Sequence, residues 1–224
     1  MDWEIIGKNR LFKEMSHEDL AHVFECSKAE KQSYRKGEMI FRQGENANYL
    51  YVLLKGRVTI ARHFASGKRN TLYEVRENHI FGEHYIFGKD HIYKYSAKAM
   101  SEAEILKIPG KYFYGYCKKQ CDCHRRLIEN MLEVLSDKEW MAIKKVNIVS
   151  PVSLRERISR WLLDEAGEDN MVFMEMNREE LADYLGVARP SLSRALMKMQ
   201  SEGIIEVSRN RIKILDMDKM EKFL

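Results

Sequence analysis

Residues 177–205 read N-R-E-E-L-A-D-Y-L-G-V-A-R-P-S-L-S-R-A-L-M-K-M-Q-S-E-G-I-I, the pattern of two short helices that meet at a tight turn. The small Ala182 lets the two helices approach closely, and Gly186 accepts the positive φ of a tight turn at little cost. Leu192 supplies the apolar contact that seals the second helix onto the first. We therefore predict a helix-turn-helix in this stretch.

Local signals mark the starts of both helices. Asn177 and Glu180 resemble a capping box, with Asn in the place of Ser or Thr. Pro190 falls in the first turn of the second helix, where an amide has no internal partner to lose. The predicted buried stripe of the second helix contains Leu192, Ala195, Leu196 and Met199.

The opposite face of the second helix is rich in arginine and serine. A helix-turn-helix has one well-attested use, which is to place its second helix in the major groove of DNA. Arginine and serine suit guanine edges and phosphates. We predict DNA contacts from Arg189, Pro190, Ser191, Ser193, Arg194, Lys198, Arg209 and Arg211. The alternative is an ordinary helical hairpin with a solvated basic face.

A predicted β-hairpin follows the second helix. Gly203 ends that helix, and residues 204–207 and 211–214 read as two strands around a polar, basic tip at Ser208-Arg209-Asn210. A helix-turn-helix with such a hairpin is a winged helix. Arg209 and Arg211 could then reach phosphates, or they could be solvated residues of the turn.

Length and composition suit two modest domains with packed cores, since the chain has 224 residues of which 45% are hydrophobic, and a net charge of +4. The longest uninterrupted apolar run, residues 49–54, is far too short to span a bilayer, and the first residues lack the pattern of a secretory signal. We therefore expect a cytoplasmic protein with no membrane partner and with reduced thiols.

Short β-prone stretches separated by glycines fill the first half of the chain. Gly37, Gly44 and Gly56 punctuate them, and turn signals recur every eight to twelve residues. The predicted strands are residues 39–41, 49–54, 57–62, 69–75, 95–100 and 103–108. Many short strands with this spacing predict an all-β barrel or roll.

A long helix is predicted between the halves, from about Lys111 to Val149, and Ser150-Pro151 ends it. Its apolar residues form two adjacent seams, which Lys138 and Lys145 interrupt. The seams are Leu127, Met131, Val134, Met141 and Ile148, and Ile128, Leu132, Leu135, Ala142 and Val146. A helix with two apolar faces packs on its own domain and on a partner, so we predict a dimerisation helix. The alternative is a helix buried within one domain.

Together these features resemble the cyclic-AMP receptor/fumarate-nitrate reductase regulator (Crp/Fnr) family. The resemblance rests on the Gly37/Gly44/Gly56 spacing, the Phe81-Gly82-Glu83 step and the segment at 189–194, R-P-S-L-S-R. It implies an α+β chain with a β-roll sensor domain like the cyclic-nucleotide-binding jelly roll at 1–118, a dimerisation helix at 119–149 and a winged helix-turn-helix at 150–224.

The resemblance also implies a function. It implies a homodimeric transcription regulator that binds a palindromic operator in double-stranded DNA, and that contacts RNA polymerase if it is an activator. An arginine at the position of Arg189 reads a guanine in this family, and the next residue is often a glutamate. Pro190 stands there instead, so we expect a different half-site.

The predicted effector pocket departs from the family pattern. In cyclic-AMP-binding members the Gly-Glu step is followed, about ten residues on, by an arginine that holds the cyclic phosphate. That position is Tyr93 here, and no arginine lies between Arg76 and Arg125. Lys94 offers a point charge rather than a bidentate fork. We expect an unidentified small-molecule or redox signal and not cyclic AMP. The effector candidates are Gly82, Glu83, His84, Tyr93, Lys94 and Tyr95, although Gly82 and Glu83 could instead be structural.

The cysteines raise a further possibility. Only Cys26 lies near the start, so the several N-terminal cysteines that hold an iron–sulfur cluster in some relatives are missing. A second group consists of Cys117, Cys121, Cys123 and His124. Two such sets in a dimer could bind a soft metal, or the thiols could respond to oxidation. We favour reduced, unligated thiols, because the spacing matches no standard site.

No enzyme motif is found in the sequence. A cupin-like enzyme would need a closely spaced His-x-His pair, and none of the seven histidines forms one. There is also no nucleophile elbow and no phosphate-binding glycine-rich loop. We therefore expect a regulator without certain cofactors and not an enzyme.

Overall fold

The structure is a computed structural model that describes residues 3–115 and 121–224. The chain forms two compact units, Met1–Leu135 and Ser136–Leu224, each with its own apolar core. The boundary between them falls inside the long helix α5 (Asp122–Val149). No helix among the described residues combines the length and apolar character needed to cross a bilayer.

The first unit starts with helices that the sequence analysis did not predict. These are α1 (Trp3–Gly7), a 3-10 turn (Arg10–Phe12) and α2 (His17–Ser27). Ser16 caps α2, because its hydroxyl accepts from the amide of Asp19 and the Asp19 carboxylate accepts from the Ser16 amide. The hydrogen bonds that the Asp19 carboxylate accepts from Ser16 lower the pKa of Asp19.

A β-roll of two antiparallel sheets follows. Its strands are β1 (Glu30–Tyr34), β2 (Met39–Phe41), β3 (Tyr49–Lys55), β4 (Val58–His63), β5 (Arg69–Val75), β6 (Ile80–Phe81), β7 (Ser96–Ala99) and β8 (Ala103–Pro109). The sheet orders are β1-β8-β3-β6 and β2-β7-β4-β5, and the short helix α3 (Glu83–Ile86) follows β6. All six predicted strands are confirmed to within one residue at each end, whereas β1 and β6 were not predicted.

The turn between β3 and β4 depends on a glycine. Gly56 has φ +96°, and a Cβ at this position would lie 2.3 Å from the carbonyl oxygen of Glu102. Both the left-handed backbone and the close approach exclude a larger residue. At this turn, therefore, the glycine predicted to separate two strands is required on steric grounds.

The predicted helix from Lys111 to Val149 is wrong as one continuous element. The structure has a short helix, α4 (Lys111–Tyr114), and the long helix α5 (Asp122–Val149). The first ends because Gly115 has an extended backbone, with φ −81° and ψ 143°; glycine has little helix propensity. The predicted end at Val149 is confirmed.

The second unit contains the predicted winged helix-turn-helix. Its elements are α6 (Leu154–Glu165), β9 (Met171–Phe173), α7 (Arg178–Tyr184), α8 (Arg189–Ser201), β10 (Ile205–Val207), β11 (Arg211–Ile214) and α9 (Met217–Glu221). The sheet order is β10-β11-β9, so the predicted hairpin gains a third strand from before the helix pair. Val172 in β9 pairs with Ile212 in β11, and both are buried.

Candidate nucleic-acid interface and neighbouring sites

The second helix of the pair, α8, has one buried and one exposed face. Leu192, Leu196 and Met199 are buried in the core of the second unit, whereas Arg189 and Arg194 are exposed. The predicted stripe is therefore confirmed at these three positions, and Ala195 is half-buried. Burial of three apolar side chains orients α8 so that its arginines face solvent.

The turn between α7 and α8 is held by backbone and side-chain hydrogen bonds. Gly186 has φ +68°, and the amide of Val187 donates to the carbonyl of Ala182 over 2.9 Å. Arg157 of α6 donates from Nη1 to the carbonyl oxygen of Leu185 over 3.0 Å. This bond joins α6 to Leu185, the residue before the turn glycine, and so helps to fix the direction of α8 relative to α7.

The capping box at the start of α7 is confirmed. The Asn177 side-chain oxygen accepts from the amides of Glu179 (2.9 Å) and Glu180 (3.0 Å), and the Asn177 amide donates to the Glu180 carboxylate over 2.8 Å. These bonds satisfy amides that a helix start leaves without partners. They also give the Glu180 carboxylate a hydrogen-bond partner at the start of the helix.

The predicted DNA-contacting residues of α8 differ in exposure. Arg189, Pro190, Arg194 and Lys198 are exposed, and Ser191 and Ser193 are half-buried. Within the described residues, none of the three cations forms a salt bridge. Arg194 makes only a long hydrogen bond, 3.4 Å from Nε to the carbonyl oxygen of Pro190. Their charge is therefore available to an anionic partner.

The wing brings a further arginine close to α8. The amide of Ser208 donates to the carbonyl of Arg211 across the hairpin over 2.9 Å, and Arg209 and Arg211 are both exposed. Arg209 and Arg189 line one cleft of about 560 Å³, together with the residues that start α7. The tip of the wing and the first turn of α8 thus share one concave surface.

The same cleft contains Arg178, which the sequence analysis missed. Arg178 is half-buried, and burial lowers the pKa of its guanidinium. Its Nη1 is buried and has no hydrogen-bond partner among the described residues. A buried N–H without a partner is costly unless a ligand supplies the acceptor. No sequence signal singles out Arg178, because its significance depends on the cleft that it shares with Arg209 of the wing.

The predicted effector residues are divided between the interior of the roll and its surface. Gly82 and Glu83 are buried, with Gly82 at φ +83° before the short helix α3 (Glu83–Ile86). Tyr93 is also buried, and its ring stacks on Phe41. Phe41, Tyr51, Phe81 and Tyr93 form one aromatic cluster between the sheets. Burial raises the pKa of Tyr93.

The remaining effector candidates lie at or near the surface. His84 is exposed, with Nε2 3.3 Å from the Glu83 carboxylate, and exposed Lys94 forms an i,i+4 ion pair of 3.0 Å with Asp90. Tyr95 is half-buried and touches Tyr85 edge to face. The six residues therefore do not line one common cavity among those found in the described residues.

The candidate cysteine site is composed differently from the predicted one. Cys121 and Cys123 lie together with His22 of α2, and their ligand atoms are all within 4.8 Å of one another. His124, predicted as their companion, instead contacts the carbonyl of Tyr112 through Nε2 at 2.9 Å and stacks on that ring. Cys117 lies outside the described residues. Burial and the neighbouring Cys121 thiol raise the pKa of Cys123 to about 12.

Two family models match separate parts of the chain. A cyclic nucleotide-binding domain matches residues 31–120, and a Crp-like helix-turn-helix domain matches residues 156–223. The first match covers the β-roll. The second covers the helix pair and the wing.

Curated proteins and solved structures also match over most of their lengths. The transcriptional regulator LdrP of Thermus thermophilus is 27% identical over 195 residues, which are 84% of this chain and 94% of that protein. The anaerobic regulatory protein of Bacillus subtilis is 24% identical over 202 residues, covering 84% and 80%. The catabolite activator protein structure from Thermus thermophilus covers 96% of this chain and 98% of that one, with 21% identity and a TM-score of 0.53. At this identity the structural match establishes the fold.

Proposed function

Because this chain belongs to the Crp/Fnr family of transcription regulators, we propose that it acts as a homodimer that recognises a palindromic DNA operator. The prediction that the chain is not an enzyme is confirmed by its relatives, which are transcription regulators.

The two-faced burial of α8 is the observation that carries the proposal. Three apolar side chains fix one face in the core, and Arg189 and Arg194 remain exposed on the other without salt bridges among the described residues. Arginine pairs bidentately with guanine in the major groove. We assign base contacts to Arg189 and Arg194, with support from Ser191 and Ser193. Pro190 cannot supply a carboxylate, so the half-site differs from that of members with glutamate there.

Phosphate contacts are assigned to the cleft beside α8. Arg209 of the wing tip and Arg178 of α7 both line it, and the buried Nη1 of Arg178 has no acceptor among the described residues. Phosphate contacts position a protein on the duplex and carry no direct sequence information. Lys198 and Arg211 are exposed cations on the adjoining elements and extend this positive surface.

Exposed apolar residues on α5 support the homodimer. Leu132, Trp140, Met141, Ile143 and Val146 are each more than half exposed. Such a concentration of apolar surface on one helix marks an interaction site. At about 100° per residue Leu132, Ile143 and Val146 lie within about 60° of one another around α5, so a second copy of α5 would cover these three by helix pairing. A dimer places two recognition helices about 34 Å apart, one turn of B-DNA, on a palindrome.

The β-roll is the proposed sensor. Its interior holds the aromatic cluster of Phe41, Tyr51, Phe81 and Tyr93 in place of an arginine-lined phosphate pocket. We therefore propose gating by a small-molecule or redox signal other than cyclic AMP. If the chain is an activator, RNA polymerase is its further partner.

Selection of bound sequences from a random DNA library tests this function. With the full-length chain we expect an enriched palindrome whose half-sites are one helical turn apart and whose complex weakens steeply with salt. An enriched single half-site would contradict the homodimer, and the absence of any enriched sequence would contradict specific binding. The selection should be repeated with and without reductant, because a change between the two identifies a redox signal.

A further inference from the structure

Three metal-binding side chains from distant parts of the sequence meet in the first unit. His22 lies on α2, whereas Cys121 precedes α5 and Cys123 lies in its first turn. One ligand atom from each lies within 4.8 Å of the other two. Among the described residues, no other group of three or more histidine, cysteine or acidic side chains brings its ligand atoms this close together.

The fold fixes the position of each donor. The carbonyl of Cys121 accepts from the amides of His124 (3.1 Å) and Arg125 (3.4 Å), which anchors Cys121 to the start of α5. Cys123 is buried and packs in the same core as Leu20 and Val23 of α2. These apolar contacts hold α2 against the start of α5. His22 and Cys123 are therefore brought together by packing of the core, and Cys121 is held beside them by its two backbone hydrogen bonds to α5.

The donor set matches the ligands that zinc prefers. Zn²⁺ binds thiolate sulfur at about 2.3 Å and imidazole nitrogen at about 2.0–2.1 Å in a tetrahedron. Ligand atoms on one such ion are roughly 3.5–3.8 Å apart, by the geometry of that tetrahedron. The observed group, within 4.8 Å, closes to this spacing by small rotations of side chains. His22 and Cys121 are half-buried and Cys123 is buried, so an ion could enter from one side.

We propose that His22, Cys121 and Cys123 bind a zinc-like divalent ion, with solvent as the fourth ligand. The two thiols lose their protons to solvent as the two sulfur–metal bonds form, and the imidazole binds through a neutral ring nitrogen. The ion ties α2 to the first turn of α5. This inference concerns the first unit alone and does not depend on DNA binding.

Cys26 contacts the site without belonging to it, so its substitution distinguishes a ligand from a neighbouring residue. Its sulfur lies 3.4 Å from Nε2 of His22, one helical turn away, and it does not belong to the converging group. His17, exposed on the same helix, is the control for histidine. His17→Ala should therefore leave the metal affinity unchanged. Cys26→Ser alters a contact of the His22 ligand, so it should weaken binding by at most about 10–100-fold, as a second-shell change does, and should still leave one Co²⁺ site per chain.

Metal titration of the full-length chain tests the site. The protein is reduced, stripped with a chelator and titrated with Co²⁺ as the spectroscopic probe and with Zn²⁺ as competitor. We expect one ion per chain, a thiolate-to-cobalt charge-transfer band with tetrahedral d–d absorption, and displacement of both by Zn²⁺. Zn²⁺ should also raise the Tm of the wild type, because it binds the folded state.

Substitution of the ligands decides the assignment. His22→Asn, Cys121→Ser and Cys123→Ser should each weaken Co²⁺ binding by more than about a hundredfold, beyond the about 10–100-fold cost of a second-shell change, and should abolish the Tm gain. Far-UV circular dichroism of the metal-free proteins checks that each variant is folded. The proposal is overturned if the reduced wild type binds no Co²⁺, or if the folded ligand variants bind as tightly as the wild type. Loss of binding in Cys26→Ser would overturn the assigned ligand set.

Discussion

The ring of Tyr93 stacks on the ring of Phe41, with 3.8 Å between the centroids and 15° between the planes. The Tyr93 hydroxyl donates to the carbonyl oxygen of Tyr49 over 3.3 Å, and the Tyr93 amide donates to the carbonyl of Glu45 over 3.0 Å. The resemblance to cyclic-AMP-binding members puts a phosphate-binding arginine at this position. An aromatic side chain held in the core cannot neutralise a cyclic phosphate.

Cyclic AMP should therefore leave DNA binding unchanged. We expect the Kd of the full-length chain for its selected operator to agree within about twofold with and without the nucleotide, since an effector with no differential affinity shifts no equilibrium. Fluorescence anisotropy of labelled operator measures this. A tightening of tenfold or more would show that another cation replaces the arginine.

Truncation of Tyr93 should destabilise the roll. Tyr93→Ala removes a buried ring from the aromatic cluster and should lower the free energy of unfolding by about 3–5 kcal/mol. Tyr93→Phe removes only the hydroxyl and should cost about 0.5–1.5 kcal/mol. Urea unfolding measures both values. Phe64→Ala is the control, because this ring is 42% exposed; if Tyr93→Ala is as mild as that control, Tyr93 does not belong to the core.

The limits of sequence analysis in the roll have physical causes. The strand β3, a continuous apolar run between the turn glycines Gly44 and Gly56, could be predicted because apolar runs and turns are local signals. The strand β1, with the sequence EKQSY, is exposed except at Tyr34 and looks like a polar loop until β8 pairs with it. The helix predicted across Gly115 was wrong because the surrounding helix formers outweighed one glycine.

In the candidate DNA interface, too, features that depend on neighbouring residues could be predicted, and features that depend on distant residues could not. The cap at Asn177 and the buried stripe of α8 depend on residues three or four apart, so the sequence revealed them. Arg178 and His22 could not be identified in this way. Arg178 matters because it lines a cleft with Arg209. His22 matters because it lies beside cysteines that come about a hundred residues later in the chain.

Arg178→Ala should weaken binding to every DNA sequence by a similar factor. A lost phosphate contact also reduces the slope of log K against log salt by about one. Titrations of operator and random duplex at several salt concentrations measure both effects. The free protein should be at least as stable as the wild type, because the substitution removes a half-buried guanidinium whose Nη1 has no partner among the described residues. A large loss of stability would instead give Arg178 a structural role.

Arg194→Ala should weaken the operator complex by about 1–3 kcal/mol and affect random DNA much less, as expected for a lost base contact. Arg209→Ala is the matched comparison, because it also removes one exposed arginine, but from the wing. For this variant the operator complex and the random-DNA complex should weaken by the same factor. The same duplex pair measures the two variants. An equal loss on both duplexes for Arg194→Ala would make Arg194 a phosphate contact and leave base reading to Arg189.

Charges placed on the exposed side of α5 should separate the two copies. Leu132 and Val146 are 62% and 64% exposed, so Leu132→Glu and Val146→Glu should leave an isolated chain folded. In a dimer each new carboxylate would be buried against the same carboxylate of the second copy, and desolvation and like-charge repulsion would both oppose pairing. We expect sedimentation equilibrium to give monomers and the operator affinity to fall steeply. Lys145→Ala is the control, because Lys145 lies over the ring of Tyr184 at 5.2 Å in its own chain; it and Lys138→Ala should remain dimeric. If both glutamate variants stay dimeric while a lysine variant dissociates, the two copies pair through the other side of the helix.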